Sequence, residues 1–97
     1  MSKKNRITKK MVNAVMRSFD WKQAATVYRF MVWRWGTIAG VPTEADLRRA
    51  GRELLDALQA DPDMNYITTG GLRAVRHKGE EGTWLELEFV ALWASAE

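Results

Sequence analysis

L-R-A-V-R-H-K-G-E-E-G-T-W-L-E-L-E-F, residues 72–89, carries the strand pattern of the chain, whose hydrophobic period changes from that of a helix from Tyr66 onward. Leu85, Leu87 and Phe89 alternate with Trp84, Glu86 and Glu88, the period-two pattern of a half-buried strand. Leu72–Lys78 supplies the partner. With Gly79–Gly82 as a four-residue hairpin loop, Lys78 falls opposite Thr83, Arg76 opposite Leu85, Ala74 opposite Leu87 and Leu72 opposite Phe89. The other face then matches Arg73 with Glu88, Val75 with Glu86 and His77 with Trp84. That register sets opposite charges beside each other on the outward face and gathers the apolar positions on the inward one. Gly70 and Gly71 mark a bulge or the start of the first strand, and Val90–Trp93 reads as continued strand before a fraying end.

Upstream of the hairpin the pattern is helical. Ile7, Met11, Val12, Val15, Met16 and Phe19 recur on one stripe behind Thr8, which predicts a first helix capped by that threonine and ending near Phe19. Asp20 with Gln23 predicts the cap of a second helix over Trp21–Trp35, closed by Gly36. This second helix is the most apolar and aromatic run in the chain, with Tyr28, Phe30, Trp33 and Trp35. It reads as the hub of the core, buried over most of its circumference along Ala24, Val27, Tyr28, Met31 and Trp35. Residues 37–42 form a connector punctuated by Gly40 and Pro42. Thr43 then starts a third helix with Leu47, Ala50, Leu54, Leu55 and Leu58 on its apolar face, stopped at Asp61-Pro62. The expected fold is α+β: three helices followed by a C-terminal antiparallel β-hairpin packed on them. Its 97 residues make one domain, with residues 1–6 as a flexible basic arm.

Charge is divided along the chain. Residues 1–34 carry nine Lys or Arg against Asp20 alone, a net +8, whereas the remainder carries six bases against eleven acids, a net −5. One end should therefore attract polyanions, unless folding interleaves the two halves. The chain contains no cysteine, which removes disulfides and thiolate metal sites and makes the cytoplasm the expected compartment. No apolar run approaches the roughly 18 residues of a membrane span.

Catalytic chemistry finds few footholds. Ser2 and Ser95 sit near the ends, Ser18 lies on the first helix, and the single histidine, His77, lies on the hairpin, so no nucleophile–base–acid set can be assembled. Asp61, Asp63 and Asn65 match the first three ligands of an EF-hand loop, but Tyr66 replaces its glycine and Leu72 its final glutamate. No enzyme, cofactor or metal is expected. Binding is the class that remains. Strand alternation places Trp84 outward beside His77, and Trp33 lies with Arg29 on the polar strip of the second helix. These four residues are the candidates for contact with a protein partner, which includes a second copy of the chain.

The alternative is nucleic acid. The third helix, T-E-A-D-L-R-R-A-G-R-E-L, followed by the hairpin resembles the recognition helix and wing of winged-helix DNA-binding domains over residues 33–89. The resemblance implies base or phosphate contacts from Arg48, Arg49 and Arg52, with Arg73, Arg76 and Lys78 along the wing. The connector is longer than the usual three-to-four-residue turn, and this half of the chain is the acidic one. Lys3, Lys4, Arg6, Lys9, Lys10 and Arg17, from the arm and first helix, are therefore the better phosphate-binding set.

Overall fold

Each helix begins at a side chain that satisfies amides the helix leaves open. The computed structural model describes residues 6–35, 43–69 and 71–89, with residues 31–35 and 69 followed in backbone only. Helix α1 (Lys9–Ser18) starts at Thr8, whose hydroxyl accepts from the Met11 N–H at 3.2 Å. Helix α2 (Trp21–Trp35) starts at Asp20, whose carboxylate accepts from the Gln23 N–H at 3.0 Å. Helix α3 (Glu44–Ala60) opens with a reciprocal box in which the Asp46 N–H donates to the Thr43 hydroxyl at 3.1 Å and the Thr43 N–H donates to the Asp46 carboxylate at 3.0 Å.

That box carries a testable consequence. The backbone N–H of Thr43, then its hydroxyl, and the nearby Arg49 hold the Asp46 carboxyl below its ordinary value of 3.8. A carboxyl depressed in the folded state contributes stability above its unfolded pKa and loses it as pH falls through the lower, folded value. Thr43→Ala is expected to lower stability by about 1 kcal/mol at neutral pH. It should also weaken the share of acid unfolding that Asp46 contributes, and urea titrations at neutral and acid pH measure both effects.

Three strands follow the helices: β1 (Tyr66–Thr69), β2 (Leu72–Gly79) and β3 (Gly82–Phe89), antiparallel in the order β1-β2-β3. The β2–β3 register is the one that the charge and apolar alternation predicts, from Leu72 opposite Phe89 to Lys78 opposite Thr83. Two details differ from the sequence expectation. Pairing continues through Gly79 and Gly82, so that only Glu80 and Glu81 form the turn, and the positive φ it requires, 136°, falls on Gly82. The second difference is β1 itself. Thr69 pairs with Leu72 and the chain reverses through Gly71 at φ 82°, so this glycine marks the start of β2, as one of the two expected readings had it, within a second hairpin and not a bulge.

The core lies between the inner sheet face and the helices. Leu72, Ala74, Leu85 and Leu87 meet Leu47, Leu54, Leu55 and Leu58 of α3, all buried. Each leucine so removed from water contributes roughly 1.5–3 kcal/mol before ordering costs. Helix α3 touches α1, α2, β1 and β2, and it is the hub of the domain. The expectation that α2 fills that place is corrected. Trp21, Ala24, Ala25 and Tyr28 are buried, but Lys22, Gln23, Thr26 and Arg29 face solvent and Phe30 is 53% exposed. An aromatic run signals capacity for burial, yet over residues 21–30 only one side of α2 is buried. The stripe positions Met31 and Trp35, the closing Gly36, the connector and residues 90–97 lie outside the described side chains or residues.

Helices α1 and α3 run antiparallel. Gln59 near the C-terminus of α3 donates to the Ile7 carbonyl at 3.3 Å, while Arg52, nearly two turns earlier, donates to the Asn13 side chain at 3.0 Å. This arrangement brings the C-terminal end of α1, the start of α2 and the N-terminal half of α3 to one end of the helical layer.

Candidate functional site

The outward sheet face follows directly from the register. Tyr66 on β1, Val75 on β2 and Glu86 on β3 form one cross-strand row, Arg73 and Glu88 lie in the next on one side, and His77 with Trp84 on the other. Opposite charges placed across an antiparallel pair neutralise each other locally. Arg73 Nε donates to Glu88 at 2.8 Å, and His77 Nε2 lies 2.9 Å from the Glu86 carboxylate. The His77 ring stacks on the Trp84 indole with centroids 3.9 Å apart and planes 17° from parallel.

Two large aromatics stand out of this charge-paired surface. Tyr66 is 64% exposed and Trp84 53%. Tyr66 bounds an open cleft of about 310 Å³ together with Arg73, Val75, His77, Glu86 and Glu88, and Trp84 stands beside it, stacked on His77. Its walls are fixed by the Arg73–Glu88 ion pair, the His77–Glu86 contact and the sheet, so a group entering it meets side chains that are already ordered. The cleft offers an apolar floor about one side chain wide within a polar rim. No Ser, Thr or Cys lines it, and no group of three or more His, Cys, Asp or Glu able to hold a metal ion occurs among the described residues.

Of the four residues expected to contact a protein, the structure brings His77 and Trp84 together in this face. Arg29 stands apart on α2, exposed, with its guanidinium donating to the Thr26 hydroxyl at 3.3 Å. The side chain of Trp33 lies outside the described set. Tyr66 was not among the expected contacts. The run Tyr-Ile-Thr-Thr before Gly-Gly is a strand-and-turn signal by composition, and reading it as a strand in register with β2 puts Tyr66 beside Val75.

The basic residues divide differently. Lys3 and Lys4 lie outside the described residues, and Arg6, Lys9 and Lys10 are exposed at the N-terminal end of α1. Arg49 pairs with Asp46 at 3.5 Å. Arg17, Arg48 and Arg52 instead line one open groove of about 760 Å³ at the junction of α1, α2 and α3, together with Lys22, which the sequence reading did not select. Folding thus interleaves the basic first third of the chain with arginines from the acidic remainder.

The placement of Arg76 along a wing is corrected. Its side chain is only 6% exposed and turns inward to the end of α3, where Nη1 donates to the Pro62 carbonyl and Nη2 to those of Leu58 and Asp61. Helices end with carbonyls that lack partners, and a guanidinium aimed at them is the complementary charge. Arg73 belongs to an ion pair with Glu88, and Lys78 is exposed at the hairpin end.

Among the described residues no helix is long and apolar enough to cross a membrane. No family model, curated protein or solved structure matches the chain.

Proposed function

We propose that this protein is a non-enzymatic interaction module that binds a protein partner through the outward face of its sheet. One observation carries the reading. Tyr66, 64% exposed, lines a cleft over Val75, and Trp84, 53% exposed, stands beside it on His77, on a face where Arg73 pairs with Glu88 and His77 lies within hydrogen-bond distance of Glu86. Tyr and Trp dominate interface energetics because they bury large area at little cost in side-chain freedom. A fold-stabilising role would draw these rings inward, as it does Trp21 and Tyr28. The occupant that fits is a protein segment presenting one apolar or aromatic side chain to Val75, with backbone or neutral polar groups over the rim. The cysteine-free sequence suits a reducing compartment, and we place the module in the cytoplasm.

The test is peptide-display selection against the wild-type protein, followed by affinity measurement on purified variants. Trp84→Ala and Tyr66→Ala should each leave stability within about 1 kcal/mol, because both rings are already largely in water. Each should weaken the selected peptides by about 2 kcal/mol or more, roughly 30-fold. Unchanged affinity in both variants would remove the sheet face as the binding site. Sedimentation equilibrium separates the homodimer: if the second copy is the partner, the wild type self-associates and Trp84→Ala does not.

A further inference from the structure

The groove at the junction of the three helices is a second and separate feature, set in the helical layer rather than on the outward sheet face. Four cations line it: Arg17 from the last turn of α1, Lys22 from the first turn of α2, and Arg48 and Arg52 from α3. The two acids on its wall are already engaged. Asp20 accepts from the Gln23 N–H at 3.0 Å as the cap of α2, and Glu44 pairs with Arg48 at 3.1 Å. Arg52 is held by the neutral Asn13 at 3.0 Å, which fixes its position without cancelling its charge. Arg17 and Lys22 have no ion pair among the described residues.

Stability accounts for only part of this set: Arg48 pairs with Glu44 and Arg52 bonds Asn13. Arg17 is favourably placed at the negative end of α1, but Lys22 sits at the positive end of α2, which has no acidic residue in its first turn. Four cations against the two carboxylates of Asp20 and Glu44 leave a net positive charge on one concavity, which an anion in the groove would neutralise. Three of the four are arginines, whose planar forks match phosphate oxygens.

The geometry points to a binding site for the phosphodiester backbone of a nucleic acid, held in this groove by Arg17, Lys22, Arg48 and Arg52. An elongated polyanion fits an open groove lined by cations from three helices. A lipid surface, which is flat and favours apolar insertion, fits it less well, since the adjoining Trp21 is buried with its ring edge-on to Phe19 at 4.6 Å. The surface differs from the winged-helix arrangement: the wing takes no part, and α1 and α2 supply half the charge. The proposal does not rest on the sheet-face reading.

Fluorescence anisotropy with labelled single-stranded DNA, duplex DNA and single-stranded RNA of about 20 nucleotides, over about 50–200 mM salt, tests it. Four phosphate contacts predict a slope of log affinity against log salt of about −3.6 on duplex, near a 100-fold loss over that range, and about −2.8 on single strands. Arg17→Gln and Lys22→Gln, both exposed and with side chains in no ion pair among the described residues, should each flatten the duplex slope by about 0.9 and the pair by about 1.8. Lys78→Gln, which removes the same charge outside the groove, should leave the slope in place. Circular dichroism confirms that the variants fold. Groove-dependent binding to one of the three probes supports the site and identifies the form it takes. The proposal is overturned by absence of binding to all three at low salt, by a Lys78→Gln loss equal to that of Arg17→Gln, or by groove-dependent binding to phosphatidylserine vesicles without binding to nucleic acid.

Discussion

Arg76→Ala is expected to cost about 3–5 kcal/mol, a large share of the 5–15 kcal/mol that holds an ordinary domain together. The reason lies in what the side chain joins. Leu58, Asp61 and Pro62 surround the C-terminus of α3, where carbonyl groups have no helical partner, and the two terminal nitrogens of Arg76 reach all three. Hydrogen bonds to a charged group are each worth about 1.5–3 kcal/mol, and losing the donor strands acceptors that are buried or half-buried. A cavity the size of the guanidinium adds to the loss. Against this stand the desolvation of a cation with no carboxylate partner among the described residues and the buried Nε, which has no hydrogen-bond partner among them. Arg76→Met keeps the apolar stem and isolates the polar part, for which about 2–3 kcal/mol is expected. Arg76→Lys should recover little of this, because a compact ammonium cannot span three carbonyls. Urea denaturation of the three variants gives the comparison, and a methionine variant within about 1 kcal/mol of wild type would show that the carbonyl contacts are incidental.

The same contact ties the sheet to α3 between the two residues that shape the outward cleft, since Val75 and His77 flank Arg76 on β2. Beside it the Arg76 N–H donates to the Asn65 carbonyl at 2.7 Å, which extends the β1–β2 pairing. Loosening Arg76 should therefore raise amide exchange in β2 before it unfolds the molecule, and the cleft would lose its fixed walls with it. The structural residue lies behind the site rather than in it.

How much of this was legible in the sequence varies with the range of the interactions involved. The β2–β3 register was fully legible, because a one-residue slip would set Glu86 and Glu88 into the core and Leu85 and Leu87 into water. The helix starts were legible too, since Thr8, Asp20 and Thr43 act within three residues of themselves. Strand β1 was missed because four residues are too few to show a period, and with it went Tyr66. The inward turn of Arg76 was half visible. Its parity with Leu72 and Ala74 marked it as inward, but nothing near it in sequence announces the end of α3 that accepts it. The groove could not be read at all, as its four cations come from three helices whose relative placement is set by packing.

Gly51→Ala tests the centre of that packing, and it is expected to destabilise the domain by about 1–2 kcal/mol, opposite in sign to the usual result for a helical glycine. Replacing Gly by Ala within a helix ordinarily gains up to about 1 kcal/mol by restricting the unfolded chain. Here Gly51 is buried in the middle of α3, and a methyl group on it would lie 2.4 Å from Cη2 of Trp21 and 3.3 Å from Cδ2 of Leu87. The first distance requires something to move. The indole has little freedom to do so: its Nε1 donates to the Met16 carbonyl at 2.8 Å, and its ring packs edge-on against Phe19 at 4.6 Å. Overpacking of this kind costs about 1–3 kcal/mol, which exceeds the helical gain. The mechanism makes a second, sharper demand. Trp21→Phe removes the outer edge of the ring with which the new methyl collides, so in that background Gly51→Ala should become neutral or stabilising. A double-mutant cycle by urea denaturation would then yield a coupling of roughly 1–3 kcal/mol between the two positions. If Gly51→Ala stabilises the wild-type protein, α2 does not approach α3 as closely as the structure has it. Because Lys22 is adjacent to Trp21 in sequence, the shape of the basic groove depends on that same close approach.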